Sequence, residues 1–343
     1  MTLVLLIILL IIILLLLLYY NHTKNYFTNN INTNINIGNT LADYFFNLGK
    51  AIINTTEFKN TKNGDFNDII FFKDLPNEIK MNTYTEWSQV YNNFKMNYNN
   101  LDEIRNTINI EHGSSMWECI DKTRESFWIS MKPIINRILN DTFKKSNLMK
   151  DINYPIIHFR CADTPFVKHK AYHLQKYSFF KDALNEIKNT TNIFDNQKKI
   201  LILYNNTHYS NEENKTACNI YADKLKNYIK TLGYEPFIDT YSDIDDFALL
   251  FYAPAVISTH SSFSFMSGFF GNGKFISAGH FYENDNNIQI CNDCGPWLYK
   301  GYDLYHKNVN DYHDTKTIVN KLNELLDKFS NTPQITFSSC FYI

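Results

Sequence analysis

Residues 154–180, "YPIIHFRCADTPFVKHKAYHLQKYSFF", begin as a buried β-strand and then fill with charged side chains. The apolar run passes through His158 and Arg160 as it ends. In an open α/β sheet the ligand crevice lies outside the carboxyl ends of the strands. His158 and Arg160 are therefore candidate ligand contacts at the tip of a strand.

After this first strand, apolar runs typical of buried strands alternate with segments of helical periodicity. The predicted strands are "PIIHF", "KKILILY", "EPFI", "AVIST" and "KFISAG", and the helices between them are "SFFKDALNEIK", "EENKTACNIYADKLKNYIKTLG", "DDFALLFYA" and "SFSFMSGFFG". Gly233 and Pro254 are expected to end two of these helices. Because each parallel return needs a crossover, the order predicts a doubly wound parallel sheet. The run "TKTIVNKLNELLDKF" predicts a further amphipathic helix.

The length of 343 residues suits about two domains of ~150 residues each. We predict one over residues 34–150 and another over residues 151–343. In the first, "TLADYFFNLGKAII" predicts a helix, "DIIFF" predicts a strand, and a long helix is predicted from "SSMWECIDKTRESFW" onward. Ser115 and Glu118 have capping-box spacing there, and Pro133 is expected to kink or restart the helix.

The N-terminal segment, residues 3–20, is apolar up to its two tyrosines. Its ~18 residues, at about 1.5 Å each, approach the ~30 Å hydrocarbon thickness of a bilayer. Residues 1–20 are therefore predicted to be a transmembrane signal-anchor. A cleaved signal peptide is the alternative, but the run exceeds a usual apolar h-region and no small-x-small cleavage site follows it. Residues 21–33 are polar and Asn-rich and are predicted to be a stem.

Acceptor sequences and cysteines favour a lumenal body behind this anchor. The N-x-[ST] sequences begin at Asn21, Asn54, Asn140, Asn189, Asn205 and Asn214. The six cysteines are even in number, as expected for disulfides in an oxidising lumen. For Cys291 and Cys294 we favour a disulfide or free thiols over half of a zinc site, because no second ligand pair follows. We expect a type II single-pass membrane protein of the endoplasmic reticulum or Golgi.

The overall charge argues against one class of partner. A formal net charge of -2 gives no case for nucleic acid, because such binding needs a basic face that displaces counterions. The hydrophobic content of 44% is that of a globular protein. We therefore expect no nucleic acid partner.

Three polar clusters are candidates for a ligand site. Residues 158–163 follow the first predicted strand, and residues 258–262 lead from "AVIST" into a helix, where hydroxyls and free N–H groups suit a phosphate. Residues 38 and 39, Gly-Asn, lie at a further strand-to-helix turn. Taken singly, each has a structural explanation, as an ion pair, a helix N-cap and a plain turn. Strand ends from two α/β halves that face each other would bring all three clusters to one cleft.

In this order and separation the clusters resemble the GT-B fucosyltransferases that use GDP-fucose, namely the α-1,2-, α-1,6- and protein O-fucosyltransferases. The family's H-x-R-R-G-D element is similar to "HFRCAD" at residues 158–163, and its Gly-Asn turn resembles Gly38 and Asn39, which "ADYF" follows. Its late Ser/Thr-Phe-Ser segment resembles "STHSSFSF", with an acidic residue upstream at Asp246. The resemblance implies an α/β fold of GT-B type, in which two Rossmann-like domains with parallel sheets face each other.

Carried over to this sequence, the resemblance implies a donor site of Asn39, His158, Arg160, Asp246, Ser261 and Ser262. Arg160 and Ser262 would hold the β-phosphate of a nucleotide sugar, with Ser261 nearby. His158 and Asp246 would contact guanine, and Asn39 would reach the diphosphate from the acceptor-side domain. A guanidinium can neutralise the departing diphosphate through two charge-assisted bonds. No metal ion or other cofactor is expected, because the family resembled needs no divalent ion.

The motif departs from the family at two positions. Cys161 and Ala162 stand where the family has its second Arg and its Gly, which leaves one cation. The candidate catalytic residues are Arg160 and Asp163. No general base is assigned: Asp163 lies at the right strand end, with a structural role as the alternative, and leaving-group stabilisation can reduce the need for a base. The basic run "FVKHKAYHLQKYSFF" is either a loop over the cleft or a solvated surface.

The sequence thus predicts a membrane-anchored, inverting glycosyltransferase that moves fucose from GDP-fucose to a hydroxyl of a glycan or glycoprotein. One alternative is a transferase of the same architecture with another nucleotide sugar. The other is a non-catalytic carbohydrate-binding surface glycoprotein that kept the fold. The expected partners are the nucleotide sugar, the acceptor and the membrane.

Overall fold

A computed structural model describes residues 36–60, 70–81, 83–97, 101–110, 122–161, 177–205, 212–239, 241–259 and 261–277. The predicted anchor and stem, the predicted C-terminal helix, the capping box at Ser115 and Glu118, and the cysteines Cys291 and Cys294 lie outside these ranges. Within the ranges, no helix is long and apolar enough to cross a membrane.

The first part of the described chain is mainly helical. Its elements are α1 (Ile37–Ile53), β1 (Phe58–Lys59), α2 (Ile70–Asp74), β2 (Glu78–Ile79), α3 (Glu86–Asn97), α4 (Leu101–Ile110) and α5 (Lys122–Lys145). β1 and β2 are two-residue strands that pair antiparallel. They form the only sheet among the described residues before position 150, so the parallel sheet expected for a first Rossmann-like domain is not found there.

One local prediction for this part is wrong, and of the two outcomes predicted at Pro133, a kink or a restart, the restart is excluded. The described residues of "DIIFF" open α2 instead of a strand, and Phe72 of this helix is buried. An apolar run this short does not by itself distinguish a strand from a buried helical turn. α5 runs through Pro133 without restarting. The flanking side chains of Trp128 and Ile134 are fully buried, and this packing outweighs the backbone hydrogen bond that a proline removes.

The second part alternates strand and helix as predicted. Its elements are β3 (Ile156–Arg160), α6 (Tyr177–Thr190), β4 (Lys199–Asn205), α7 (Glu212–Thr231), β5 (Glu235–Ile238), α8 (Asp243–Tyr252), β6 (Ala255–Ser258), α9 (Ser262–Ser264) and β7 (Lys274–Ser277). A single π-helical turn, Phe265–Phe269, continues α9. Gly233 follows α7 with a φ of 88°, a conformation that glycine adopts without steric cost, and α8 ends before Pro254.

β3 to β7 form one five-stranded parallel sheet in the order β5-β4-β3-β6-β7. The predicted doubly wound parallel sheet is thereby confirmed. The direction of winding reverses between β3 and β6, because β4 lies on one side of β3 and β6 on the other. At such a topological switch point, neighbouring connections leave in opposite directions and open a crevice at the carboxyl ends of the strands.

Helices cover both faces of this sheet. On one face, Ile157 and Phe159 of β3 pack in a cluster with Phe180 of α6 and Tyr221 of α7. On the other face, Ile156 packs in a larger cluster to which helices on both sides of position 150, including α1, α5 and α8, contribute. The domain boundary at that position stays a prediction, and among the described residues one hydrophobic core extends across it.

Candidate functional site

The site lies where β3 and β6 end side by side. His158 of β3 is in register with Ser258 of β6. Beyond this pair, the backbone N–H of Thr259 donates to the carbonyl of His158 over 3.0 Å. The backbone N–H of Arg160 donates to Oγ1 of Thr259 over 2.8 Å. Two of the three predicted clusters are therefore held together at the topological switch point, with the Thr259 hydroxyl between them.

The third cluster reaches the same place through α1. Gly38 and Asn39 lie in the first turn of this helix, which Asn36 caps by accepting from the backbone N–H of Asn39 over 3.2 Å. A Cβ on Gly38 would lie 2.5 Å from Oγ of Ser262 and against the backbone of Phe263. Only a residue without a side chain lets the two chain segments approach this closely. The strand predicted before Gly38 lies outside the described residues.

His158 is buried with one nitrogen unsatisfied. The side chain is 7% exposed, and its ring stacks on Phe263 with the centroids 5.6 Å apart. Its Nδ1 has no hydrogen-bond partner among the described residues. Burial first, and the nearby Arg160 second, lower the pKa of His158 to about 4. The imidazole is therefore neutral at physiological pH and has one polar atom left to offer a ligand.

Asp246 supplies a second unsatisfied atom. It lies in the first turn of α8, where Ser242 caps the helix through the backbone N–H of Asp245. Asp245 pairs with Lys150, whereas Oδ1 of Asp246 is buried without a hydrogen-bond partner among the described residues. Burial, followed by the neighbouring Asp243 carboxylate, raises the pKa of Asp246 to about 7. A ligand that donates hydrogen bonds would stabilise its charged form.

Phe263 contacts His158 and the chain neighbours of Asn39 and Asp246, the three residues that carry these unsatisfied atoms. Buried side-chain atoms without a hydrogen-bond partner among the described residues include Oδ1 of Asn39, Nδ1 of His158 and Oδ1 of Asp246. α1 reaches Phe263 through Gly38, β3 through the ring of His158, and α8 through Phe247, whose ring meets that of Phe263 edge-on at 5.3 Å. Buried polar groups in folded proteins are nearly always paired, so a cluster of exceptions indicates a place for a ligand.

Hydroxyl groups line the start of α9. Ser261 and Ser262 are 8% and 4% exposed, and the Ser261 side chain makes no capping bond to the helix. Behind them, the hydroxyls of Ser258 and Ser264 are hydrogen-bonded to each other. Ser264 also donates to the carbonyl of Ser261 over 3.3 Å. Ser261 and Ser262 are thus backed by the hydrogen-bonded pair of Ser258 and Ser264.

Cys161, the departure from the family motif, forms a disulfide with Cys218 of α7. It directly follows Arg160 and is 1% exposed. The end of β3 is therefore bonded covalently to α7, on the face of the sheet where Ile157 and Phe159 pack. This pair is not evident from the sequence, since connectivity cannot be read from spacing. The position of Phe263 is not evident either, because its only sequence signal is an aromatic residue within a serine run.

Some of the predicted site residues lie outside the described residues. Asp163 and Ala162 follow the last described residue of β3, and His260 is likewise not described. Among the described residues, no group of three or more His, Cys, Asp or Glu side chains could hold a metal ion. The structure thus places Asn39, His158, Arg160, Asp246, Ser261 and Ser262 on elements that meet near Phe263 and the switch point, and Asp163 lies outside the described residues.

We compared the chain with models of known protein families, with curated proteins and with solved structures, and none of them matches.

Proposed function

We propose that this chain is an inverting glycosyltransferase that transfers fucose from GDP-fucose to a hydroxyl group of a glycan or protein. We further propose that it has the GT-B arrangement, with the donor held by the parallel sheet, and that it is anchored in a membrane with its body in the lumen. The observation that carries the proposal is that the unsatisfied buried atoms of Asn39, His158 and Asp246 lie on elements that meet around Phe263, next to the switch point of this sheet.

Charge at the end of β3 supports a diphosphate leaving group. Arg160 is half-buried, and its backbone is held by the Thr259 hydroxyl. In the transfer, a bond forms between the acceptor oxygen and C1 of the sugar while the bond from C1 to the phosphate oxygen breaks. The electron pair leaves with GDP, and the acceptor proton passes to a base or to water. A fixed guanidinium stabilises the negative charge that develops on the departing oxygen.

The unsatisfied side-chain atoms suit a ligand whose nucleobase and sugar offer N–H and O–H donors. Guanine presents neighbouring N–H groups that suit the Asp246 carboxylate, and the neutral ring of His158 can make a further hydrogen bond. Oδ1 of Asn39 accepts only, so it suits a sugar hydroxyl, while its amide nitrogen can donate to a phosphate oxygen. Ser262, which lies beside Gly38, and Ser261 can also donate to a phosphate oxygen.

Transfer in this form requires no divalent ion, since Arg160 and the hydroxyl groups serve the diphosphate. Two other functions remain open: the same chemistry with another nucleotide sugar, and carbohydrate binding without catalysis. They differ in what binds at the end of β3. An enzyme of either donor class binds a nucleoside diphosphate, whereas a module that binds only carbohydrate does not.

Thermal unfolding of the full chain in detergent tests the proposal. A ligand that binds only the folded state at 100 times its Kd stabilises it by about 2.7 kcal/mol, so GDP should raise the melting temperature. UDP and CMP serve as donor-class controls, and release of GDP from GDP-fucose with an acceptor mixture reports transfer. Stabilisation by UDP or CMP in place of GDP would mean that the donor is a different nucleotide sugar. If no nucleotide raises the melting temperature, the proposal that the chain is a glycosyltransferase is wrong.

A pair of neighbouring variants makes this test specific. Asp246→Asn should remove most of the GDP-induced stabilisation, because an amide cannot accept two N–H donors as a carboxylate does. Asp245→Asn is the matched control, since Asp245 pairs with Lys150 instead. It should leave the response to GDP intact.

A further inference from the structure

The C-terminal end of α1 exposes an acceptor sequence in a tight turn. Asn54 caps the helix, and Thr55 and Thr56 follow with all three residues exposed. The backbone N–H of Thr56 donates to the carbonyl of Ala51 over 2.9 Å, and Thr55 adopts a φ of 53°. The chain therefore turns away from the helix at the acceptor asparagine. Asn54 with Thr56 matches the N-x-[ST] pattern for N-linked glycans.

A polar depression surrounds this turn. Its volume is about 310 Å³, and its lining includes Asn47, Lys50, Asn54, Thr56, Lys59 and Asn60. Amide, ammonium and hydroxyl groups are the partners that sugar hydroxyls use in proteins. The surface beside Asn54 is therefore suited to the first sugars of an attached glycan as well as accessible to them.

The acceptor sequence at Asn140 is the opposite case. Oδ1 of Asn140 accepts from the Tyr252 hydroxyl over 2.9 Å. Thr142, the third residue of the sequence, is 2% exposed and donates to the carbonyl of Ile138 over 2.7 Å. A glycan on the amide nitrogen of Asn140 would start beside Tyr252, in the contact between α5 and α8. The folded chain thus holds this acceptor sequence within a helix contact, unlike the exposed sequence at Asn54.

The disulfide between Cys161 and Cys218 indicates the compartment in which these asparagines are placed. A buried structural disulfide persists in an oxidising environment such as the endoplasmic reticulum lumen. The same lumen holds the lipid-linked oligosaccharide from which N-glycans are transferred. This step shares with the proposed function only the lumenal location of the body.

We infer that Asn54 carries an N-linked glycan and that Asn140 does not. The host's transferase joins the Asn54 side-chain nitrogen to C1 of the first sugar of a polyprenyl-diphosphate oligosaccharide. The C1–O bond to the diphosphate breaks, the lipid diphosphate leaves, and the amide loses one proton. The glycan lies far from the nucleotide site, because Asn39 and Asn54 stand at opposite ends of α1, about 22 Å apart at 1.5 Å per residue.

The test uses the full chain produced in a eukaryotic secretory host. An amidase that removes N-glycans converts each occupied asparagine to aspartate, and peptide mass spectrometry locates the change. We expect Asp at position 54 and an unchanged Asn140. Thr56→Ala should abolish the modification and Thr56→Ser should keep it. Thr55→Ala is the matched control, since the middle position of the pattern is unconstrained apart from proline.

An unmodified Asn54 in the wild-type chain overturns the inference, whether Asn189 or another asparagine is occupied or none is. A glycan on Asn140 overturns its second half. Stabilisation of Asn54→Gln by GDP separates the two proposals, because this variant should lose the glycan and keep the nucleotide response. A glycan at Asn54 in a chain that ignores GDP would reject the proposed function and leave this inference standing.

Discussion

Gly38 and Ser262 are in direct contact although they lie near opposite ends of the described chain. A side chain at Gly38 would begin 2.5 Å from the Ser262 hydroxyl oxygen, with the backbone of Phe263 beside it. Through this contact the first turn of α1 meets the first turn of α9. Because Gly38 has no Cβ, α1 can approach α9 closely, which places Asn39 near Ser262.

Gly38→Ala should separate α1 from α9. The new methyl group has backbone atoms as neighbours, which cannot rotate away, so we expect a loss of about 1–3 kcal/mol in unfolding free energy. We also expect loss of the stabilisation by GDP. Urea denaturation and thermal unfolding with GDP measure the two effects.

Gly233→Ala is the control for this loss. Gly233 has a φ of 88° with open space where a Cβ would stand, so alanine costs about 1–2 kcal/mol through backbone strain alone. It should leave the GDP response unchanged. An unaltered GDP response in Gly38→Ala would mean that α1 contributes nothing to the site.

Arg160→Ala should slow transfer severely and leave the fold intact. Removal of one preorganised charge-stabilising donor costs about 10²–10³-fold in turnover. The hydrogen bond to Thr259 comes from the Arg160 backbone and survives in the variant. Arg160→Lys should stay badly impaired, because an ammonium does not replace a planar bidentate contact. Initial rates of GDP release measure both variants.

Arg137→Ala is the matched arginine control. Arg137 is exposed and pairs with Asp141 within α5. Its loss should leave GDP release unaltered. Near-normal turnover in Arg160→Ala would remove the leaving-group role assigned to this side chain.

His158 and Asp246 should give opposite pH dependences of stability. Because the pKa of Asp246 is raised to about 7, the folded chain keeps a proton that the unfolded chain releases near pH 4, and stability falls as pH rises between these values. Because the pKa of His158 is lowered to about 4 from 6.5, the unfolded chain binds more protons in that window, and stability rises with pH. In the wild-type chain the two slopes oppose each other.

Variants at these two residues separate the slopes. Urea denaturation of Asp246→Asn between pH 4 and 6.5 should give an unfolding free energy that rises more steeply with pH than in the wild type. His158→Gln should give one that falls between pH 4 and 7. Parallel curves for all three proteins would show that neither group titrates in the predicted window.

Loss of the Cys161–Cys218 disulfide should destabilise the fold. The cysteines are 57 positions apart, and closing a loop of that length in the unfolded chain is worth about 4 kcal/mol. Cys161→Ser, Cys218→Ser and the double variant should lose similar amounts under oxidising conditions. Chemical denaturation measures these values. Additive losses in the two single variants would show that the thiols are not bonded to each other.

Local patterns in the sequence were enough to predict the parallel sheet, its helices and the positions of His158 and Arg160 at a strand end. Helical and strand periodicities are properties of neighbouring residues, and parallel strands require crossovers, so the order of elements follows from the chain itself. The same reasoning failed for "DIIFF", because packing decides the structure of so short an apolar run. The family resemblance implied a second parallel sheet, whereas the described residues before position 150 form helices and one two-stranded antiparallel sheet.

Only the tertiary structure decided which distant residues share the crevice. The contact of Gly38 with Ser262, the disulfide between Cys161 and Cys218, and the placement of Phe263 between His158 and Phe247 all join residues far apart in sequence. No periodicity encodes such contacts, because they arise when whole helices pack on a sheet and bury their apolar faces together. The sequence alone determined the sheet and the chemistry at its edge, and packing determined which groups meet there.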